Sequence, residues 1–215
     1  MAKLLYYYSA MNAGKSTLLL QAAYNYRERG MEVLLFLPDF DARMGKGIIG
    51  SRIGIHSPAH TFTADFDFLA YVSREVEGPQ HSLAAVFIDE AQFLSKVQVY
   101  QLTEIVDKLS IPVLTYGLRS DFQMEPFEGS KYLLAWSDEM QELKTICHCG
   151  KRANMNMRTD TQGNAIHEGQ QIMVGGNETY VAMCRRHYKE NIEKAQNSAN
   201  RDRSDSLHDM YRPAI

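Results

Sequence analysis

Near the N-terminus, Gly14-Lys15-Ser16-Thr17 has the residue types and the order that bind phosphate. An apolar, aromatic run at residues 4–8 precedes it and is typical of a buried strand, while a leucine-rich stretch after it opens a helix. When a strand, a loop and a helix N-terminus follow in that order, backbone N–H groups and the helix dipole face a bound anion. Lys15 would add a positive charge, and Ser16 would offer a hydroxyl to a divalent cation.

The predicted phosphate-binding loop is the segment that joins this strand to this helix. Its residues are Ser9, Ala10, Met11, Asn12, Ala13, Gly14, Lys15 and Ser16. Ser9 stands where the usual pattern has its first glycine. The alternative is a chance Gly-Lys-Ser at the start of a helix, which the flanking strand and helix disfavour.

A second apolar run, at 84–88, ends in acidic residues. In open α/β sheets, ligands collect at the carboxyl ends of the strands. Asp89 would therefore hold Mg²⁺ together with Ser16, directly or through water, and Glu90 could act as general base toward a substrate hydroxyl. The alternative is a pair of solvated carboxylates. Beside a phosphate-binding loop the segment predicts a site for a nucleoside triphosphate and Mg²⁺, to which it contributes Asp89, Glu90, Ala91 and Gln92.

Two short cysteine clusters suggest a metal site in the second half of the chain. Cys147 and Cys149 form one cluster, and Cys184 and His187 form the other. Structural Zn²⁺ takes four such ligands in a tetrahedron, so these four side chains would close the coordination shell and leave no open catalytic position. His148 is a possible substitute ligand. The alternative is three buried thiols beside a surface histidine.

The elements that must position these residues alternate along the first half of the chain. Apolar runs at 4–8, 33–37, 84–88 and 112–116 are separated by helical patterns, one at 16–29 and one that follows Ser95 as N-cap and ends at 109. Continuous apolar strands separated by helices are typical of a parallel sheet covered on both faces. The predicted fold class is therefore α/β.

Changes in this alternation of strand and helix patterns divide the chain into three predicted regions. Residues 1–143 are predicted to form the nucleotide-binding domain, and within them 39–60 is expected to be a long mobile loop. Residues 144–190 carry both cysteine clusters with short β-like runs, so they are predicted to form a small zinc-binding lobe. Residues 191–215 are polar and charged, and we expect a helix that frays into a disordered tail.

Composition narrows the possible partners. The chain has 215 residues, 45% of them hydrophobic, and a net charge of −3 without a clustered basic stripe, which disfavours duplex nucleic acid as a partner. No apolar run is long enough to span a membrane, and the N-terminus lacks the layout of a signal peptide. Three cysteines do not suit a disulfide framework. We therefore expect a cytoplasmic protein with no membrane partner.

Four motifs together resemble one family. They lie at residues 9–17, 88–93, 116–122 and 175–180, the last just before Cys184. In this order they resemble the cytosolic thymidine kinases that carry a zinc lobe (type II), and the chain looks most similar to the enterobacterial members. The similarity covers nearly the whole chain up to about residue 188. It implies a RecA-like P-loop domain with a zinc lobe that carries a lasso loop.

The resemblance also implies an activity. It implies transfer of the ATP γ-phosphoryl group to the 5′-hydroxyl of thymidine, and of deoxyuridine, with Mg²⁺ and structural Zn²⁺, in a homotetramer. Glu90 matches the family's general base. Residues 171–175 match the lasso over the nucleoside, and others match the surroundings of the base and sugar. The implied substrate-binding residues are Met11, Leu118, Phe122, Phe127, Gln171, Ile172, Met173, Val174, Gly175 and Tyr180.

The chemistry of some of these residues supports such roles independently. Phe122 and Phe127 follow the last strand, where an aromatic ring could stack on a pyrimidine or, alternatively, cover the sheet edge. Asp41 and Arg43 lie in the 39–60 segment, and Arg43 could neutralise charge on a moving phosphoryl group. Arg52 is a weaker candidate. A solvated surface position is the alternative for both arginines.

Two other functions remain open at this point. Phosphate-binding loops with acidic strand ends also occur in ATP-driven motors and recombinases, and zinc knuckles often bind nucleic acid. The chain could thus be an ATP-dependent nucleic-acid-binding module, although its charge disfavours this. It could also be a kinase of another deoxynucleoside, such as deoxycytidine.

Overall fold

The sheet that carries both predicted nucleotide motifs has six strands, and all are parallel. In the computed structural model, residues 1–77, 83–171 and 180–210 are described, with side chains as far as 197. The strands lie in the order β5-β2-β6-β7-β1-β8. Their bounds are β1 Leu4–Ser9, β2 Glu32–Pro38, β5 His60–Phe62, β6 Leu83–Ile88, β7 Val113–Leu118 and β8 Glu139–Glu142.

Helices cover both faces of this sheet, as the apolar strands predict. The helices are α1 Lys15–Glu28, α2 Phe68–Glu77, α3 Lys96–Leu109 and α4 Glu128–Trp136. One buried cluster joins α1 to the sheet through Leu19 and Ala23, and the other joins α2, α3 and α4 to it through residues such as Val72, Leu102 and Leu133. Ser95 caps α3 as predicted, because its Oγ accepts a hydrogen bond of 3.2 Å from the backbone N–H of Gln98.

The segment 39–60, predicted to be a mobile loop, contains ordered strands. Its β3 (Ile48–Gly50) and β4 (His56–Pro58) pair as an antiparallel hairpin, and β5 begins at its end. Ile49 is buried against α1 and β2. The sequence did not predict these strands because each has only three residues, too few to show a period of two.

The part of the chain that follows β8 folds into a small lobe beside the carboxyl edge of the sheet. A two-stranded hairpin and a three-stranded antiparallel sheet in the order β12-β11-β13 precede a long helix. The bounds are β9 Thr145–Ile146, β10 Arg152–Ala153, β11 Met155–Thr159, β12 Ala165–Ile166, β13 Tyr180–Met183 and α5 Arg185–Met210. The helix expected at the start of the polar tail is present as α5, and it continues to Met210.

No helix in the described residues is both long and apolar enough to cross a bilayer.

Candidate active site

The loop between β1 and α1 has the geometry of an anion site. Asn12 and Gly14 both have left-handed backbone conformations, with φ of 64° and 79°. Lys15, at the start of α1, is only 8% exposed. Its ammonium donates to Ser9 Oγ at 3.1 Å and to the Ala10 carbonyl at 3.4 Å. Ser9 therefore supplies a hydrogen-bond acceptor for the lysine that a glycine in its place would lack.

The two predicted magnesium ligands lie side by side. The hydroxyl of Ser16 donates to Asp89 Oδ2 at 2.7 Å, which joins the first turn of α1 to the end of β6. Burial, reinforced by the negative charge of Glu90, raises the pKa of Asp89 to about 6. A buried carboxylate beside a hydroxyl oxygen is a donor set that suits Mg²⁺, so the residues present fit that cation.

Glu90 is surrounded by groups that keep it ionised. Arg43 donates to Glu90 Oε1 and also to Asp41, at 2.8 Å through Nε. The amide of Gln92 donates to the other oxygen of Glu90 at 2.6 Å. Burial alone would raise the pKa of Glu90, but Arg43, Lys15 and Gln92 lower it below its usual value. The carboxylate is therefore charged at neutral pH and able to accept a proton.

The orientation of Gln92 is set by the neighbouring strand. Its Oε1 accepts from the backbone N–H of Leu118 at 3.0 Å, so its NH₂ group points to Glu90. This approach needs a glycine at 117, since an added Cβ would lie 2.9 Å from both Gln92 N and Gln92 Oε1. Glu90 itself has a φ of 50°. The end of β7 thus positions, through Gln92, the carboxylate of Glu90, which lies just after β6.

These groups line one cavity of about 400 Å³ at the carboxyl edge of the sheet. Predicted site residues contribute most of its wall. Those that line it are Met11, Asn12, Ala13, Gly14, Lys15, Ser16, Asp41, Arg43, Arg52, Asp89, Glu90, Gln92, Leu118, Phe122, Phe127, Gln171 and Tyr180. The structure thus brings together residues that are up to 169 positions apart in the chain.

The other predicted residues have different positions. Ser9, Ala10 and Ala91 are buried and are not among the residues that line this cavity. The rest of the lasso, Ile172, Met173, Val174 and Gly175, lies outside the described residues. Phe122 and Phe127 are both buried and also line the cavity, so covering the sheet and facing a ligand are not exclusive for these rings.

Sequence reasoning missed three buried polar residues in the cavity wall, Ser51, Asp121 and Asn156. Asp121 Oδ2 accepts from the side-chain amide of Gln171 at 2.8 Å, so it holds the residue at which the predicted lasso begins. Its Oδ1 accepts from the backbone N–H of Gln123 at 2.8 Å. Asp121 follows a buried strand, as Asp89 does, and that shared position was the available signal.

The predicted zinc ligands meet in the lobe. Ligand atoms of Cys147, Cys149, Cys184 and His187 all lie within 4.8 Å of one another. Burial alone would raise the pKa of the Cys147 thiol, but hydrogen bonds from the Cys149 backbone and from His187 lower it to about 6. A thiolate-rich group of three cysteines and one histidine matches the donor set of structural Zn²⁺, so these residues fit that metal.

His148 has a supporting position beside this cluster. Its ring stacks on that of His187, with centroids 4.3 Å apart and planes 16° from parallel. Nδ1 of His187 lies 3.3 Å from Cys147 Sγ, and Nε2 lies 3.8 Å from Glu190 Oε2. A carboxylate on the outer nitrogen is the usual way to orient a metal-binding imidazole.

Comparisons with known proteins agree with this geometry. A family model described as Thymidine kinase matches residues 2–188. A thymidine kinase of Vibrio cholerae is 60% identical over 191 residues, which is 88% of this chain and 98% of that relative. One from Legionella pneumophila is 59% identical over 88% of this chain and 90% of its own, and one from Yersinia pestis is 55% identical over 91% and 98%. This chain therefore belongs to the thymidine kinase family.

Proposed function

We propose that this protein transfers the γ-phosphoryl group of ATP to the 5′-hydroxyl of thymidine, and of deoxyuridine, to give the 5′-monophosphate. One observation carries the proposal beyond family membership. The phosphate-binding loop, the Ser16–Asp89 pair and the ionised Glu90 line one end of a cavity that also contains two phenylalanine rings. A phosphoryl donor and an aromatic-bound acceptor can thus meet within it.

The triphosphate would lie against the N-terminus of α1. Backbone N–H groups from Ala13 to Ser16 and the ammonium of Lys15 would bind its oxygens. Ser16 and Asp89 would hold Mg²⁺, which when bound neutralises charge on the phosphates. Lys15 already lies folded against the loop, on Ser9 and Ala10, so a small side-chain movement would bring it to the phosphates.

Glu90 would accept the proton of the 5′-hydroxyl as the oxygen attacks the terminal phosphorus. Arg43, which contacts Glu90 and Asp41, is close enough to exchange that contact for the charge that develops on the transferred group. The amide of Gln92 would stay on Glu90 throughout and keep the carboxylate aimed at the acceptor. Glu90 and Arg43 are thus assigned proton transfer and charge stabilisation, respectively.

The nucleoside would lie among the apolar residues of the cavity. Phe122 and Phe127 would contact the base, and Leu118 and Met11 would pack around base and sugar. Gln171 and Tyr180 would anchor the two ends of the lasso, including residues 172–175. Enclosure on these sides would exclude water, so that ATP is not simply hydrolysed.

Further proposals follow from the same assignment. We propose Zn²⁺ as a resident structural metal on the four-residue cluster, a division into a domain at 1–143 and a lobe at 144–190, a homotetramer and a cytoplasmic location. The cytoplasmic location is supported by the three cysteines, which are all free and which this proposal assigns to metal binding and not to disulfides.

The test is a transfer assay with γ-labelled ATP, Mg²⁺ and a panel of nucleosides, with and without DNA. Thymidine-dependent appearance of labelled nucleotide supports the proposal, with deoxyuridine expected as a second acceptor. Transfer to deoxycytidine in preference to thymidine would replace thymidine as the substrate. DNA-stimulated hydrolysis without transfer would support a nucleic-acid-dependent ATPase and overturn the kinase.

A further inference from the structure

One polar side chain of the lobe reaches across to the phosphate-binding loop. Asn156 lies in β11 between Met155 and Met157, and both methionines belong to the buried core of the lobe. Since side chains alternate along a strand, Asn156 faces the opposite way, toward the part of the chain that contains the six-stranded sheet and its helices (the sheet domain). It is only 3% exposed.

Both ends of the Asn156 amide bind backbone groups of the sheet domain. Its Oδ1 accepts from the backbone N–H of Met11 at 2.8 Å, and its Nδ2 donates to the carbonyl of Ser120 at 3.0 Å. One partner is a donor and the other an acceptor, so a primary amide satisfies both in one orientation. Loss of this side chain would leave the buried Ser120 carbonyl and the partly buried Met11 N–H without these partners, which is costly.

The two partners lie on segments that leave neighbouring strands. Met11 follows β1 in the phosphate-binding loop, and Ser120 follows β7, which pairs with β1. Asn12, directly after Met11, has a left-handed backbone conformation, which is uncommon for a residue other than glycine although asparagine adopts it more readily than most. Asn156 binds the backbone of the residue directly before it.

The bond also changes the role of Met11. Its N–H is directed to Asn156, so the amides available to a phosphate are those of the residues that follow it in the loop. The lobe makes a weaker second contact nearby, where Thr145 Oγ1 lies 3.4 Å from the Asn12 carbonyl. The phosphate-binding loop is therefore supported from outside its own domain.

We propose that Asn156 is a positioning residue that holds the phosphate-binding loop in its nucleotide-binding shape, so that affinity for ATP depends on the docked lobe. This inference rests on the proposed function, because it assumes that the loop binds ATP. It assigns the lobe a part in binding the phosphoryl donor as well as the nucleoside.

The test compares Asn156→Ala with the unaltered protein in binding of a non-hydrolysable ATP analogue with Mg²⁺, measured by calorimetry without nucleoside. We expect the dissociation constant to rise ~10-fold, as the loss of a buried hydrogen bond implies. In steady-state assays, the KM for ATP should rise likewise while the KM for thymidine changes less than ~2-fold.

A matched control is Tyr188→Phe. The hydroxyl of Tyr188 donates to the Phe122 carbonyl, so this variant also removes a buried bond between lobe and sheet domain, but one outside the phosphate-binding loop. We expect it to bind the ATP analogue as the unaltered protein does. Equal weakening in both variants would indicate general loosening of the lobe and would overturn the inference.

The remaining outcomes separate the inference from the proposed function. If the unaltered protein does not bind the analogue, the proposed function fails. If it binds and Asn156→Ala binds equally well, or if only the KM for thymidine rises, the inference alone fails. Should Asn156→Ala not fold, as judged by circular dichroism and zinc content, the nearly isosteric Asn156→Asp replaces it. That variant opposes a carboxylate to the Ser120 carbonyl, and unchanged analogue binding there would also overturn the inference.

Discussion

The sheet domain and the lobe hold their functional side chains in different ways. In the sheet domain, two large buried clusters include residues of five of the six parallel strands, and Lys15, Asp89 and Glu90 take their positions from strand ends and backbone conformations. The buried core of the lobe is small, and two of its members, Cys147 and Cys184, are themselves in the candidate zinc cluster. Burial alone can support the first region, whereas the second would depend on the proposed Zn²⁺.

Because the two regions are stabilised differently, substitutions in them should have different effects. A change at a strand end in the sheet domain should alter the rate or affinity and leave the fold intact. A change at the cysteine cluster should unfold the lobe and leave the sheet.

Glu90→Gln should lower kcat by ~10²–10⁴-fold, the usual contribution of a general base. The amide keeps the size of the side chain, so the KM for thymidine and the melting temperature should change little. Steady-state kinetics with circular dichroism measure both. Because Arg43 contacts Glu90, Arg43→Gln is an informative companion and should lower kcat by less. Turnover of Glu90→Gln at the unaltered rate would remove the assignment of the base.

Cys184→Ser should release zinc and disorder the lobe. Elemental analysis should fall from about one zinc per chain to near zero, and thymidine-dependent turnover should drop by at least ~10-fold because lasso and Asn156 lose their support. The helical signal of the sheet domain should persist.

The matched control for the cluster is His148→Ala, which removes the ring that stacks on His187 but none of the four clustered ligand atoms. It should retain its zinc. Zinc loss in His148→Ala with retention in Cys184→Ser would show that His148 is a ligand in place of Cys184.

Gly117→Ala should reduce kcat by ~10-fold through Gln92, since a poorly aligned catalytic group costs about that much or more. The added Cβ would lie 2.9 Å from Gln92 N and Oε1, and backbone cannot yield as a flexible side chain does. The control is Thr115→Val in the same strand, which removes a bond to the Leu5 carbonyl and should affect stability alone. Equal kcat in Gly117→Ala and the unaltered protein would contradict the proposed role of Gln92.

Sequence reasoning succeeded where chemistry is local. The phosphate-binding loop and Asp89-Glu90 are contiguous motifs next to long apolar strands, so their positions followed from the order of elements. The cysteine clusters are 35 residues apart, between Cys149 and Cys184, yet four metal-binding side chains of suitable type were enough to pair them.

The sequence did not predict the short strands of the sheet or the contacts between residues far apart in the chain. β5 has three residues, and β8 is a polar edge strand, Glu139–Glu142, whose pattern gives no apolar signal. Asn156 serves the phosphate-binding loop from 145 positions away, and a single asparagine between two methionines does not reveal its partner. The contact between Asn156 and the phosphate-binding loop depends on how the lobe packs against the sheet domain. Local secondary-structure propensity carries no information about that packing.

The smallest expected effect is a gain in stability at the magnesium site. Without Mg²⁺ and nucleotide, Asp89→Asn should raise the melting temperature at pH 8, by ~2–4 °C for each kcal/mol recovered, because it removes a buried carboxylate whose pKa is raised to about 6. As the pH falls through 6 toward the usual range of aspartate, the unaltered protein takes up a proton in the folded state and becomes more stable, so the difference between the two should shrink. Thermal melts across this pH range measure it. If the difference in melting temperature between Asp89→Asn and the unaltered protein stayed constant or grew toward low pH, the charged Asp89 carboxylate would not be what destabilises the fold.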